Sequence, residues 1–339
     1  MRALILLHPA PAEAGPLREV ERAVPQPRAA EVLVRVEVCG VCHTDLHIVE
    51  GDLSPRRAEI IPGHQVVGRV ESHGPDVTAP AVGARVGVAW LHQACGRCAF
   101  CRRGLENLCP EAVFTGYDVD GGFAEYVIAP AAFVYPLPDA FSSAEVAPLL
   151  CAGIIGYRAL RIAQAARGDR IGLFGFGASA HLALQVARYW GCEVYVFTRS
   201  EAHRALAHDL GAAWVGGVEE QAPSPIDAGV VFAPSGRVAV GALQHLRPGG
   251  TLAINAIHLD QIPAFDYAWL YGERGLRSVS NSTRADGREF LALAAAIPLR
   301  PHVEAWPMAE ANHVLQRVKR GEVNGAAVLE IAPALRTAP

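Results

Sequence analysis

The sequence predicts an α/β protein of two domains, and three observations carry that prediction. The chain has 339 residues, more than one ordinary domain needs, and 51% of them are hydrophobic, which is enough apolar material for two cores. Residues 169–212 run apolar strand, glycine turn, helix, apolar strand. Beyond them the stretches GVVFAPSG and GGTLAINAI continue the alternation to about residue 285. That is the pattern of a doubly wound parallel sheet.

The central unit is DRIGLFGFGASAHLALQVARYWGCEVYVFTRS. Ile171–Phe174 reads as a first strand and Val194–Phe197 as a second, with helical apolar positions at Leu182, Leu184, Val186 and Ala187 between them. The turn Gly175-Phe176-Gly177-Ala178-Ser179-Ala180 is the Rossmann fingerprint with alanine at its third small position, where only close helix packing is at stake. A helix opening there offers its N-terminal amides to a pyrophosphate. The second strand ends in Thr198-Arg199-Ser200, with no carboxylate before Glu201. A carboxylate at that place would bind the ribose hydroxyls of NAD, whereas an arginine between two hydroxyls suits a 2′-phosphate. Arg204, one helical turn on, is a second candidate partner. The expected cofactor is therefore NADP(H). In the alternative, Arg199 stacks on adenine or faces solvent and NAD(H) serves as well.

Other features exclude whole classes of function. The start, MRALILL, reads as a strand over Ala3–Leu7 and not as a leader. No uninterrupted apolar stretch has the ~18–20 residues of a membrane span. A net charge of −4 provides no basic field for nucleic acid. Among 30 lysines and arginines Lys319 is the only lysine, which reads as composition. A cytoplasmic protein is expected, where clustered cysteines serve metals or redox work more often than disulfides.

Four of the eight cysteines lie in HQACGRCAFCRRGLENLC, at Cys95, Cys98, Cys101 and Cys109. Four thiolates on tight loops can close around one ion and leave no position open, as in a structural zinc site. Gly96 permits a sharp turn, and Arg97, Arg102 and Arg103 favour thiolates. The rival is an iron–sulfur cluster, since the first three cysteines and the Cys109-Pro110 pair echo a ferredoxin run. Against it stand the longer last gap and the absence of a second set. Cys42, His64 and Cys151 could form another site, with one zinc position left open for an oxygen substrate. On spacing alone the alternative is a buried free cysteine and a loop histidine. Cys39 and Cys192 read as small buried residues.

The strings GVCHTDLHIVEGD, PGHQVVGRV, the four-cysteine loop, DGGFAEYV and LLCAGIIGYRAL occur in one order. Together they resemble the zinc-dependent alcohol dehydrogenases of the medium-chain dehydrogenase/reductase superfamily, and the resemblance runs essentially end to end. It implies a mainly β, GroES-like catalytic domain over 1–148 and 286–339, with a Rossmann cofactor domain over 149–285. It implies two zinc ions per chain: a catalytic one on Cys42, His64 and Cys151, and a structural one on the four clustered cysteines. Zinc and nicotinamide would then meet between the two domains. Thr44 would take the proton of the substrate hydroxyl and pass it toward His47 at the surface. Asp45 would orient His64, and His43 would contact the pyrophosphate. Arg284 would reach the cofactor, and Trp90, with Tyr117 near it, would line the substrate pocket.

The bland readings are solvated loop histidines at 43 and 47, a turn-forming Asp45 and a core Trp90. The pattern departs from the family at Gln65, where a glutamate usually follows the ligand histidine. Losing that charge leaves the zinc more electropositive, which favours an alkoxide and slows ligand exchange. The expected reaction is reversible hydride transfer between a primary alcohol or aldehyde and NADP(H), in a homodimer or homotetramer. Alternatives are a zinc- and NAD-dependent dehydrogenase of a polyol or secondary alcohol, a non-catalytic, NADP-binding relative of the zinc-free quinone-reductase kind, or an iron–sulfur electron carrier. The intact Cys42/His64/Cys151 set argues against the zinc-free relative.

Overall fold

The computed structural model describes residues 1–331; residues 332–339, the end of the expected 286–339 segment, lie outside the described residues. Two compact units are present. One comprises Met1–Cys151, Asn281–Ala295 and the chain from Pro301 onward, the other Ala152–Ser280 and Ala296–Arg300.

The first unit opens with the antiparallel pair β1 (Arg2–Leu6) and β2 (Leu17–Glu21). Next come β3 (Glu31–Val41), α1 (His43–Glu50), β4 (Gln65–His73), β5 (Arg85–Val88) and β6 (Leu91–Gln93). The short α2 (Ala99–Arg102), β7 (Val113–Phe114), β8 (Tyr126–Pro130), β9 (Val134–Pro136) and α3 (Ser143–Val146) follow. The second unit holds α4 (Ala152–Ile162), β10 (Arg170–Phe174), α5 (Ala178–Tyr189), β11 (Glu193–Phe197) and α6 (Glu201–Asp209). It continues with β12 (Trp214–Gly216), β13 (Ile226–Val231), α7 (Gly236–Leu243), β14 (Leu246–Ile254) and β15 (Gly275–Ser278). The chain ends with α8 (Arg284–Ala296), β16 (Val303–Pro307), α9 (Ala311–Arg320) and β17 (Ala326–Glu330).

The first unit is built on a sheet in the order β16-β17-β3-β4-β5-β9, with β8 also on β3. Strand β3 alternates EVLVRVEV, so Val32, Val34 and Val36 all point inward and are fully buried, as a one-sided sheet requires. They share a core with Leu4, Val66, Phe123 and Leu329. Helix α9 adds Ala311, Val314, Leu315 and Val318 to that core, a helical stripe at i, i+3, i+4 and i+7. Its end is set by Gly321 at φ 67°, with Arg317, Lys319 and Arg320 in the last turn, where cations suit the helix dipole.

In the second unit six strands run in the order β12-β11-β10-β13-β14-β15, every pair parallel. Counted along the unit this is 3-2-1-4-5-6, the doubly wound dinucleotide-binding order. Strands β10, β11 and β13 are nearly continuous apolar runs, as a sheet covered on both faces demands. Gly156 lets α4 approach α5, since a Cβ there would lie 3.0 Å from the Ser179 carbonyl oxygen.

The stretch Ser143–Ile162 is long and apolar enough to cross a membrane by length and composition, with a mean hydropathy of 1.2. A search for uninterrupted apolar runs does not find it. It is 61% buried inside the protein and breaks at Cys151, whose φ of −130° and ψ of −74° are not helical. It is a core element.

His92, on β6, is 6% exposed, and its Nδ1 has no hydrogen-bond partner among the described residues. Burial outweighs the pull of Glu31 and Asp118 and holds this imidazole down to about 4. Below about pH 6.5 the unfolded chain takes up a proton that the folded chain refuses until about pH 4. Stability should therefore fall by roughly 3 kcal/mol across that window from this group. Denaturant melts at stepped pH on the native chain and His92→Gln will show it as a slope that the variant lacks.

Candidate active site and metal centres

Strand β3 ends at Val41, and the next residue, Cys42, is the N-cap of α1. Its Sγ accepts from the Thr44 amide at 3.4 Å, while Asp45 Oδ2 accepts from the Cys42 amide at 2.9 Å. This is a capping box with thiol and carboxylate in the places usually held by Ser/Thr and Glu. The other Asp45 oxygen accepts from His64 Nδ1 at 3.0 Å. That bond turns His64 Nε2 toward the two sulfurs, 3.5 Å from Cys42 Sγ and 3.3 Å from Cys151 Sγ. Asp45 and His64 are almost fully buried.

The backbone under His64 is shaped by glycines. Gly63 has φ 98°, and a Cβ there would meet Phe123 Cδ1 at 2.5 Å and Cys39 Sγ at 2.9 Å. The DGGF motif packs against it: the Gly121 amide donates to Ile61, the Gly122 amide to Gly63 and the Phe123 amide to Pro62. Gln65 pairs with Gly40 across the sheet, is 2% exposed, and its Nε2 has no partner among the described residues.

The donor set fits a zinc ion. Tetrahedral bonds of about 2.3 Å to sulfur and 2.0–2.1 Å to nitrogen place the two donors about 3.5 Å apart, and the three donor atoms lie within 4.8 Å of one another. The electrostatics point the same way. Sharing the Cys151 proton and facing His64 hold the Cys42 thiol well below the ordinary thiol range, against burial; Cys151 is pushed up in turn. Burial opposes charge on His64, but Asp45 and Cys42 outweigh it and carry the imidazole up to about 10. The charged imidazole balances the Cys42 thiolate, a role that a bound cation would take over.

The four-cysteine loop is equally suited. Cys95, Cys98, Cys101 and Cys109 place their sulfurs within 4.8 Å of one another. The Cys95 and Cys101 sulfurs are 3.9 Å apart, close to the ~3.8 Å that two sulfurs on one tetrahedral zinc adopt. Backbone amides of Cys95, Cys98 and Cys101 donate to sulfurs of Cys109, Cys95 and Cys98. Amide donation from Cys101 brings Cys98 down to about 7.

Trp90 stands edge-on to His64, ring centroids 5.1 Å apart. It lies nearly parallel to Phe114 at 5.0 Å and to Tyr117 at 5.9 Å. Tyr117 is fixed by donating to the Ser54 carbonyl at 2.7 Å and by Arg56 at 4.9 Å from its ring centroid. Phe114 was not singled out from the sequence, and nothing in its local pattern marks it. Thr44 and His47 lie on α1 with Cys42 at its head, and His43 is exposed, its ring 6.3 Å from that of His47. Asp52 was also missed: its Oδ2 is 2.7 Å from His47 Nδ1. The signal available was the Gly51-Asp52 pair, since Gly51 at φ 87° turns the chain back at the end of α1.

In the second unit Gly175 takes φ 89°, where a Cβ would lie 2.8 Å from the Ala233 amide. Gly177 caps α5, and a Cβ there would find nothing within 4 Å. That leaves open approach to the backbone, the cradle that a pyrophosphate needs. Ala180 is fully buried and Thr198 nearly so, while Arg199 and Ser200 are exposed and Ser200 Oγ caps α6 by accepting from His203.

Two arginines are engaged elsewhere. Arg204 donates to the Thr198 carbonyl and pairs with Glu220 and Glu201. Arg284, which the resemblance assigns to the cofactor, is bound instead to Glu106. Its Nε reaches both carboxylate oxygens at 3.0 and 3.1 Å, its amide one of them at 3.2 Å, and its guanidinium lies 4.2 Å from the Phe133 ring centroid. Glu106 belongs to the four-cysteine loop, and the pairing with Arg284 lowers its carboxyl below the usual range.

Residues 28–139 match the alcohol dehydrogenase GroES-like domain family. The chain is 47% identical over 337 residues to "Probable alcohol dehydrogenase AdhA" of Mycobacterium tuberculosis, covering 98% of this chain and 97% of that one. It is 38% identical to an alcohol dehydrogenase of Geobacillus stearothermophilus, covering 93% and 95%. Among solved structures it superposes on a cinnamyl alcohol dehydrogenase of Sorghum bicolor with TM-score 0.89 at 25% identity, covering 100% and 99%. It also superposes on a cobalt- and zinc-bound alcohol dehydrogenase of Pyrobaculum aerophilum with TM-score 0.87 at 27% identity, covering 98% and 99%. The fold is that of the medium-chain alcohol dehydrogenases, a GroES-like unit and a Rossmann unit. The chain belongs to the zinc-type members of that family and is an oxidoreductase acting on alcohols.

Asp45→Asn should weaken metal binding at Cys42/His64/Cys151 about 10- to 100-fold and leave the four-cysteine site unchanged. Metal release into a graded series of chelators, followed on both proteins, will show one shifted step and one unshifted step.

Proposed function

We propose that the protein is a zinc-dependent aldehyde reductase and alcohol dehydrogenase that prefers NADP(H), acts on primary alcohols and their aldehydes, and works in the cytoplasm as a homodimer or homotetramer with two zinc ions per chain. The convergence of Cys42, His64 and Cys151 within 4.8 Å carries this reading. A zinc ion held there would supply a Lewis acid for the alcohol oxygen, and the nicotinamide supplies the hydride chemistry. The Pyrobaculum relative's bound zinc supports the metal.

The chain's own residues would do the rest. Thr44, two residues beyond the ligand Cys42, takes the hydroxyl proton and passes it toward His47. Asp52 on His47 Nδ1 fixes the ring and balances its charge while it exchanges that proton with solvent. Asp45 holds His64 in the tautomer that presents Nε2. The slab of Phe114, Trp90 and Tyr117 beside His64 walls the site with flat rings, which favours unbranched or flat substrates over branched secondary ones. Gly175, Gly177 and Ala180 admit the pyrophosphate, with His43 as a further contact. Arg199, flanked by the hydroxyls of Thr198 and Ser200, pairs with the 2′-phosphate. Arg204 balances Glu201 and Glu220 there, which keeps those carboxylates from repelling the phosphate.

Initial rates of aldehyde reduction with NADPH and NADH at matched concentrations test this on protein of known zinc content. Faster turnover with NADPH, lost in Arg199→Ala mainly through KM, is expected; a clear preference for NADH would overturn the cofactor assignment. The Gln65 protein should turn over with its zinc complete. If it is inactive when fully loaded and Gln65→Glu restores it, Gln65 disables the site rather than slowing ligand exchange.

A further inference from the structure

The only lysine of the chain stands where two carboxylates from separate elements meet. Lys319 Nζ, in the last turn of α9, donates to Glu13 at 2.9 Å and to Glu50 at 2.8 Å. Glu13 belongs to the short 3-10 helix Ala12–Ala14, and Glu50 is the last residue of α1. The same Glu50 oxygen accepts from the Ala12 amide at 2.9 Å. Asn312 and Gln316, earlier on α9, donate to the carbonyls of Leu17 and Ala12. One ammonium thus closes a junction of three elements, and the Glu50 side chain is only 17% exposed within it.

Two features set this contact apart from an ordinary surface ion pair. A carboxylate at the C-terminal end of a helix faces the negative pole of its dipole and is disfavoured there, so Glu50 needs a cation beside it. The second feature is the choice of cation. Everywhere else among its 30 basic side chains the sequence uses arginine. A guanidinium fork matches one carboxylate in its plane, whereas an ammonium directs three donors toward separate partners. Here one nitrogen serves Glu13 and Glu50 together, a compact bridge that a planar fork of different reach would not reproduce atom for atom. Lys319 also draws Glu13 below its ordinary carboxyl value.

What this junction holds is the far end of α1. The helix has eight residues, its N-cap is Cys42, and it carries Thr44, Asp45 and His47. Its head is tied by the Asp45 bonds and its tail by Glu50. We propose that Lys319 is a positioning residue for the reaction: by bridging Glu50 and Glu13 it fixes the tail of α1 and so holds Thr44 and His47 in place over the Cys42 end. The inference rests on reading Thr44 and His47 as the proton relay.

Four variants of the full chain test it: Lys319→Met, Lys319→Arg, Glu50→Gln and His47→Gln. Lys319→Met and Glu50→Gln should each lower kcat about fivefold with substrate and cofactor KM unchanged, since small displacements of a relay cost rate and not binding. Amides of residues 47–50 should exchange faster in both, while the exchange of α5 in the Rossmann unit stays as in the native protein. Lys319→Arg should restore the melting temperature but not the native protection of α1. Native kcat and native α1 exchange in Lys319→Met would overturn the assignment. So would a loss of kcat that Lys319→Arg repairs completely, because charge alone would then suffice. His47→Gln separates the two readings. If it turns over normally, the relay reading fails and this inference with it. If it is slow while Lys319→Met is not, the relay stands and only the role of Lys319 falls.

Discussion

The carboxylate of Asp45 holds the first unit's chemistry together. One oxygen accepts the amide that begins α1 and the other accepts the imidazole of His64, so a helix start and a ligand orientation depend on one buried group. Burial raises the Asp45 carboxyl, while the facing imidazole and the amide pull it back. Such a group is costly to bury alone and well accommodated only with both partners present. That mutual dependence explains why residues 42 and 64, far apart in sequence, arrive with their donor atoms already converged. Gly63 and the glycines of DGGF serve the same end from below, because no side chain fits between His64's backbone and the strands that carry it.

Much of this was legible in the sequence because the chemistry is local. The four cysteines occupy one loop, so their spacing alone described a closed site. The glycine turn between two apolar strands described the cofactor half, and the parallel order of the six strands agrees with it. Cys42, Thr44 and Asp45 are within one helical turn, and a capping pattern there is readable. What spacing could not supply was convergence over long separations. Cys151 and His64 meet through the fold of the first unit; spacing left them an open candidate beside Cys42, and the resemblance named the three as one set.

Most of the contacts that sequence reasoning did not supply join residues distant in sequence. Phe114 matters only because Trp90 lies against it. Arg284 finds Glu106, 178 residues away in sequence, and the face of Phe133. Asp52 is an exception that local chemistry could have shown, since a glycine ending the helix returns the chain toward His47. Lys319 looked like residue usage, and its meaning appears only when the two acids around it are seen together.

The final strand has a consequence for how the molecule is made. β17 pairs with β3 over Val38–Val41, the run that leads directly into Cys42. On a ribosome the contiguous Rossmann stretch is complete well before residues 326–330 emerge, and domains tend to fold as they appear. Until the last strand arrives, the edge of β3 beside Cys42 has no partner on that side. The stretch that leads into Cys42 is therefore paired on both sides only once that strand has been made. An interrupted chain can carry Cys42, His64 and Cys151 and still lack the strand that braces the run before the first of them.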